Sequence, residues 1–156
     1  MKAHHVGYLV ADMNNALKEF LNLGYEIEQE VMHDSLRNIN ICFVRNNGFL
    51  IELISPCEGC KSFAALSKRI GNAPYHICYF PDKDDAFDAA TEALQQKNFL
   101  MVQPPETAPA LGGRRVAFMF NPEIGLIEIL EAEILEKRLD KMQNRVIIDQ
   151  TRPDQN

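Results

Sequence analysis

The stretch His5-Val6-Gly7-Tyr8, taken with Leu50-Ile51-Glu52-Leu53-Ile54, is echoed further along by His76-Ile77-Cys78-Tyr79 and Leu126-Ile127-Glu128-Ile129-Leu130. Each copy opens on an imidazole and closes on a carboxylate. Both groups sit inside apolar, strand-like runs, where an unpaired charge is costly to bury. Side chains alternate along a strand, so Glu52 shares a face with Leu50 and Ile54, and Glu128 shares one with Leu126 and Leu130. The chain therefore reads as an internal duplication in which each half delivers one His and one Glu.

Working outward from these runs, residues 3–11 read as a strand, and Asp12 is a helix N-cap. Ala16, Leu17, Phe20 and Leu21 recur at helical spacing until Gly24 ends the run. Residues 25–31, 39–44 and 49–54 are β-like, with Asn46-Asn47-Gly48 as a tight turn between the last two, because Asn and Gly tolerate positive φ. Residues 1–58 thus form a βαβββ module. A short linker helix follows within 61–72, carrying Phe63, Leu66 and Ile70 on one face.

The second module, residues 73–131, repeats the order. A strand at 75–80 precedes a helix from about Asp84 to Gln96, whose stripe is Ala86, Phe87, Ala90 and Leu94, and strands follow at 99–103, 115–120 and 125–130. The segment 104–113, rich in Pro, Ala and Gly, reads as a loop of roughly ten residues, a candidate lid or a long hairpin connection. Beyond Glu131, Ile134, Leu135, Leu139 and Met142 keep a helical stripe, so residues 132–156 read as a C-terminal helix and a polar tail.

A βαβββ unit has one open sheet face and cannot bury it alone. Two copies are expected to pack about an approximate two-fold, giving an α+β fold with a curved, partly open mixed sheet around whatever the two His and two Glu hold. Two imidazoles and two carboxylates suit one divalent first-row metal (Co, Ni, Mn, Fe or Zn) rather than an all-thiolate zinc, and leave positions for water or substrate. A His in a strand is also commonly a hydrogen-bonded core residue, and His4 beside His5 leaves open which of the two would be the ligand.

With 156 residues, 46% hydrophobic and 24% charged, the chain is large enough for a well-buried core. A formal charge of −6 argues against nucleic acid as partner. No window approaches the apolar length of a membrane span and the start lacks the apolar core of a secretory signal, so the cytoplasm is the expected location. Cys42 and Cys78 lie in apolar runs as small buried hydrophobes. Cys57 and Cys60 have zinc-knuckle spacing without a second ligand pair until His76, and read as loop thiols.

These residues resemble the vicinal oxygen chelate superfamily, which includes glyoxalase I, methylmalonyl-CoA epimerases, extradiol dioxygenases and antibiotic-binding resistance proteins. The resemblance spans residues 3–131. It is nearest to the epimerases through His5-Val6, Ile51-Glu52-Leu53-Ile54-Ser55-Pro56, Tyr75-His76-Ile77-Cys78, Gly113-Arg114-Arg115-Val116-Ala117-Phe118 and Leu126-Ile127-Glu128. It implies His5, Glu52, His76 and Glu128 as metal ligands, Glu128 as a proton-transfer group, Gly113 and Arg114 near a small-molecule substrate, and a homodimer. The epimerases' second acid falls on Leu36 here, with Asp34 the nearest carboxylate and Glu52 the other candidate partner. The implied activity is metal-dependent epimerisation or isomerisation of a small acyl thioester or 2-oxo or hydroxy carbonyl compound through an enediolate. Glyoxalase I-type lyase chemistry and non-catalytic ligand binding are the alternatives.

Overall fold

A computed structural model describes residues 1–82 and 87–132 of the chain. The elements run β1 (Lys2–Leu9), α1 (Met13–Asn22), β2 (Glu26–Asp34), β3 (Ile39–Asn46), β4 (Phe49–Pro56), α2 (Lys61–Ile70), β5 (Ala73–Phe80), α3 (Phe87–Gln95), β6 (Leu100–Ala108), a 3-10 turn (Pro109–Leu111), β7 (Arg114–Asn121) and β8 (Gly125–Leu130). The eight strands form one mixed sheet in the order β2-β3-β4-β1-β5-β8-β7-β6. The order is palindromic about the β1–β5 junction, as a duplicated βαβββ unit requires. β1 and β5 meet antiparallel, while β1–β4 and β5–β8 are the two parallel pairs.

Local chemistry explains the element boundaries. Asp12 caps α1 by accepting from the Asn15 backbone N–H at 2.8 Å, as its position before the helical run predicts. The β3–β4 hairpin turns on Asn47 and Gly48, both at positive φ (47° and 83°), which is the pairing a two-residue turn between right-twisted strands demands.

The sheet curls around an inner cluster that includes Leu9, Ile39, Ile41, Phe43, Leu50, Ile54, Leu111, Val116 and Leu130, on which α2 rests Phe63 and Leu66. On the outer face α1 covers Ile51, Leu53, Cys42 and Val44 with Ala16, Leu17 and Phe20, and α3 covers Ile127, Ile129, Ala117 and Met119 with Phe87 and Leu94. Each fully buried aliphatic or aromatic side chain contributes about 1.5–3 kcal/mol of transfer free energy. Glu52 and Glu128 are thus set on the concave side, and their sequence neighbours face the helices.

One segment departs from expectation. The stretch 104–113 is not a ten-residue loop: β6 continues through Pro104 and Pro105 to Ala108, and only the 3-10 turn and Gly112-Gly113 lie outside strands. β6 is an edge strand, where a missing proline N–H faces away from the ladder, and the pairing with β7 shifts register between Gln103 and Glu106 to absorb the prolines. The expected start of the second helix at Asp84 and the C-terminal helix and tail beyond residue 132 lie outside the described residues.

Candidate metal centre

Strand register brings the repeated residues together. Gly7 pairs with Glu52 across β1–β4 and with His76 across β1–β5, while Cys78 pairs with Glu128 across β5–β8 and with His5 across β1–β5. The four side chains converge on the concave side of the sheet, at its two-fold centre. His5 Nε2 lies 3.3 Å from an oxygen of each of Glu52 and Glu128, and His76 Nε2 lies 3.7 Å and 3.5 Å from the same two oxygens. The two Nε2 atoms are 3.3 Å apart. All four residues are at most 5% exposed.

These separations match the donor set of one ion. Ligands about 2.0–2.2 Å from a shared metal lie roughly 3–3.5 Å from one another. The donor chemistry agrees, since two acids and two imidazoles are confined in an apolar shell where Glu128 Oε2 and His76 Nδ1 have no hydrogen-bond partner. Burial drives the Glu128 carboxyl toward its neutral form, but the adjoining His5 and His76 hold it well below the usual carboxylate range. Burial likewise disfavours charge on His5, but Glu52 and Glu128 raise it to about 9. The cluster thus keeps the Glu128 carboxylate ionised by recruiting positive charge, a task a divalent cation would also perform. His5, Glu52, His76 and Glu128 fit a divalent first-row ion.

His4 stands behind the quartet. Its Nδ1 is 2.8 Å from His5 Nδ1, and burial, followed by the charge of His5, lowers His4 to about 4. A neutral His4 accepts the His5 Nδ1–H bond and leaves His5 Nε2 facing the two carboxylates. Of the neighbouring histidines, His5 therefore occupies the quartet and His4 orients it. His4, His5 and Cys78 also form a tight trio of potential donors, but burial pushes the Cys78 thiol well above its ordinary value, which disfavours the thiolate.

Gly7 is the residue that pattern reading overlooks. A Cβ there would collide with the His76 ring, so the imidazole is seated directly on the glycine backbone. Its signal is a glycine inside an otherwise apolar strand, which marks close approach.

A narrow cleft, partly open to solvent, is lined by Glu52 and Glu128 and reaches the β2–β3 turn. Its walls are mainly apolar, with Ile39, Ile54, Phe63, Val116 and Phe118 among them, and Asp34 and Arg37 line it too. Asp34 is 1% exposed, accepts the backbone N–H groups of Leu36 and Arg37 at 2.9 Å and 3.2 Å, and binds the Arg37 guanidinium at 2.6 Å. Leu36 points away, 62% exposed. Arg37 has no sequence signal, because it lies in a turn that periodicity does not reach.

The other candidates lie elsewhere. Arg114 donates to the Leu111 and Glu131 carbonyls and, like Gly113, is not among the cleft-lining residues. Arg115 faces the outer side, paired with Asp88 and Glu131 over the Phe87 ring. None of the four cysteines forms a disulfide, and among the described residues Cys57 and Cys60 join no metal-ligand cluster. No described helix is long and apolar enough to cross a membrane.

Comparison with known proteins bears on this geometry. A family model described as the glyoxalase/bleomycin resistance protein/dioxygenase superfamily matches residues 4–118. No curated protein matches the chain significantly. Among solved structures, a hypothetical protein from Bacillus halodurans C-125 superposes with a TM-score of 0.73 at 19% identity, covering 85% of this chain and 95% of that one. Methylmalonyl-CoA epimerase from Mycobacterium tuberculosis gives 0.70 at 19% identity, covering 87% and 91%. A Streptomyces coelicolor methylmalonyl-CoA epimerase in complex with 2-nitronate-propionyl-CoA gives 0.70 at 15%, covering 83% and 93%. At these identities the likeness is one of fold.

Proposed function

The chain belongs to the glyoxalase/bleomycin resistance protein/dioxygenase superfamily, and from that premise we propose that it is a metal-dependent isomerase of the epimerase type, moving a proton at a carbon beside a carbonyl. The observation that carries this reading is the buried quartet His5, Glu52, His76 and Glu128, whose donor atoms all lie within 4.8 Å of one another at the end of a mainly apolar cleft. A divalent ion held there would supply Lewis-acid stabilisation of the negative charge that develops on two neighbouring substrate oxygens.

The chain's own residues supply the rest. The apolar walls exclude water and press the substrate body against the quartet. Glu128, kept ionised by its two imidazole neighbours, is positioned to take the proton. Glu52 lies on the opposite half of the pseudo-two-fold and is the partner that, in its protonated form, delivers a second proton to the opposite face of the carbon, Glu128 keeping the one it took until solvent exchanges both. Asp34, the other cleft acid, is engaged by two backbone N–H groups and Arg37, which supports Glu52 over Asp34 in that role and favours glyoxalase-like use of the two ligand carboxylates. The substrate class is a small acyl thioester or a 2-oxo or hydroxy carbonyl compound.

The test is metal-dependent exchange of substrate hydrogen for deuterium, followed by NMR across a panel of acyl thioesters, hydroxyketones and the glutathione–methylglyoxal adduct. Exchange that stops with chelator and returns with Co, Ni, Mn, Fe or Zn is expected. Stoichiometric metal binding without exchange in any member refutes isomerase chemistry and leaves a binding protein.

A further inference from the structure

The cleft has a second polar pole, and the geometry points to Arg37 as the receiver of a substrate carboxylate, held across the cavity from the metal-binding quartet. This inference rests on the metal-centre reading and narrows it to substrates that carry an acid group remote from the two chelating oxygens.

Arg37 has one fixed partner and one exchangeable partner. The fixed one is Asp34, buried at 1% exposure, bound to two backbone N–H groups and 2.6 Å from Arg37 Nη1. It anchors the guanidinium against the cavity end. The exchangeable one is Glu106 on the edge strand β6, whose carboxylate accepts from Arg37 Nη2 at 2.9 Å and from Gln103 Nε2 at 3.0 Å with its side chain 47% exposed. Glu106 can leave for water at little desolvation cost, so it stands where an incoming carboxylate would bind. The Thr107 carbonyl, 3.2–3.3 Å from the same guanidinium, steadies the fork without adding charge.

Charge balance selects the ligand. Two glutamates offset a divalent ion at one end, and Asp34 offsets Arg37 at the other, so a bound monoanion is welcome only where Glu106 gives way. A planar carboxylate reproduces the contact Glu106 makes, and the aliphatic and aromatic walls between the poles suit a short hydrocarbon spacer.

The experiment uses the full chain loaded with Co(II), titrated by visible absorption with acetohydroxamate and with succinate monohydroxamate, two vicinal-oxygen chelators that differ in a carboxylate arm. The carboxylated probe is expected to bind the native protein about tenfold or more tightly than acetohydroxamate, as a charge-assisted bond to a fixed guanidinium implies. Arg37→Met should abolish the preference, and Glu106→Gln, which leaves the fold and Arg37 intact, should widen it severalfold. Acetohydroxamate should bind all three alike, reporting an unaltered centre. Equal binding of both probes to native protein, or a preference that survives Arg37→Met, overturns the assignment. A preference unchanged by Glu106→Gln overturns the exchange. Failure of the protein to bind Co(II), or of either probe to perturb its spectrum, overturns the metal-centre reading and this inference with it.

Discussion

Replacing Gly7 by Ala asks whether strand pairing alone sets the ligand geometry. The added methyl would lie 2.6 Å from His76 Nε2 and closer still to Cε1 and Nδ1. Carbon atoms in contact sit about 3.5–4.0 Å apart, so the ring must retreat by roughly 1 Å or more. It has little room, because Tyr75, His5 and Phe118 pack edge-on around it with centroids at 4.6, 5.4 and 5.3 Å. Overpacking of this kind costs about 1–3 kcal/mol, which for a chain of this size lowers Tm by roughly 2–12 °C.

The metal consequence is larger than the stability consequence. Coordination tolerates displacements of about 0.2 Å, so a retreat of roughly 1 Å takes His76 out of the shell. Disturbing only the outer partners of a metal-binding His already costs about 10–100-fold in affinity, and losing the ligand should cost at least the upper end of that range. Competition against a chromophoric chelator measures the affinity, and melting in EDTA measures the metal-free stability. The control is a double-mutant cycle. With His76→Ala the methyl has space, and the Tm loss caused by Gly7→Ala should nearly vanish. Native metal affinity in Gly7→Ala, or an equal Tm loss in both backgrounds, refutes the reasoning.

Three further outcomes follow from the same structure. Glu128→Gln should weaken metal binding strongly and also lower the melting temperature in EDTA, because it strips His5 and His76 of a buried carboxylate partner; an unchanged metal-free stability would contradict that account. Native protein treated with iodoacetamide should gain one adduct quickly, at the partly exposed Cys57, and four only in denaturant, since Cys42, Cys60 and Cys78 are at most 6% exposed and burial raises Cys42 to about 11. Rapid double labelling by mass would count against it. The Arg115 hydrogen bonds hold Glu131 below the usual carboxylate range, so their stabilisation is present above about pH 4.5 and is lost as pH falls below it. The pair is partly exposed, so Glu131→Gln should remove less than about 1 kcal/mol of acid-dependent stability, visible as a flatter fall of Tm between pH 6 and 3.

How much of this was legible in the sequence depends on the kind of signal. The duplication, the two βαβββ modules and the inward face of Glu52 and Glu128 follow from repetition and alternation, which are local and periodic. Pro104 and Pro105 misled because proline argues against a strand in general, whereas an edge strand tolerates it; which strand is the edge is a property of the whole sheet. Asp34 was legible as an acid near the hairpin, whereas Arg37 was out of reach for a similar reason. Its relation to Glu106 and Thr107 joins the first hairpin to the edge strand at the other end of the sheet, a contact made only when the sheet curls. The choice between His4 and His5 needed the pleat: one ring faces the quartet, and its neighbour bonds it from behind.

Symmetry and its breaking divide the labour of the site. At the centre the halves stay equivalent: His5 matches His76, Glu52 matches Glu128, and the positions two residues beyond each His hold the small residues Gly7 and Cys78, beside the opposite imidazole. Each half supplies two of the four candidate ligands. At the rim the halves diverge. The first hairpin presents Asp34 and Arg37, and the second presents Ala108, Ala110 and Leu111 on the facing side of the same cleft. A symmetric cleft would hold a ligand equally well in two opposed orientations. The Asp34–Arg37 pair, which has no counterpart on the second hairpin, removes that degeneracy, so on the proposed function the orientation of a bound substrate should depend on the β2–β3 turn rather than on the metal ligands.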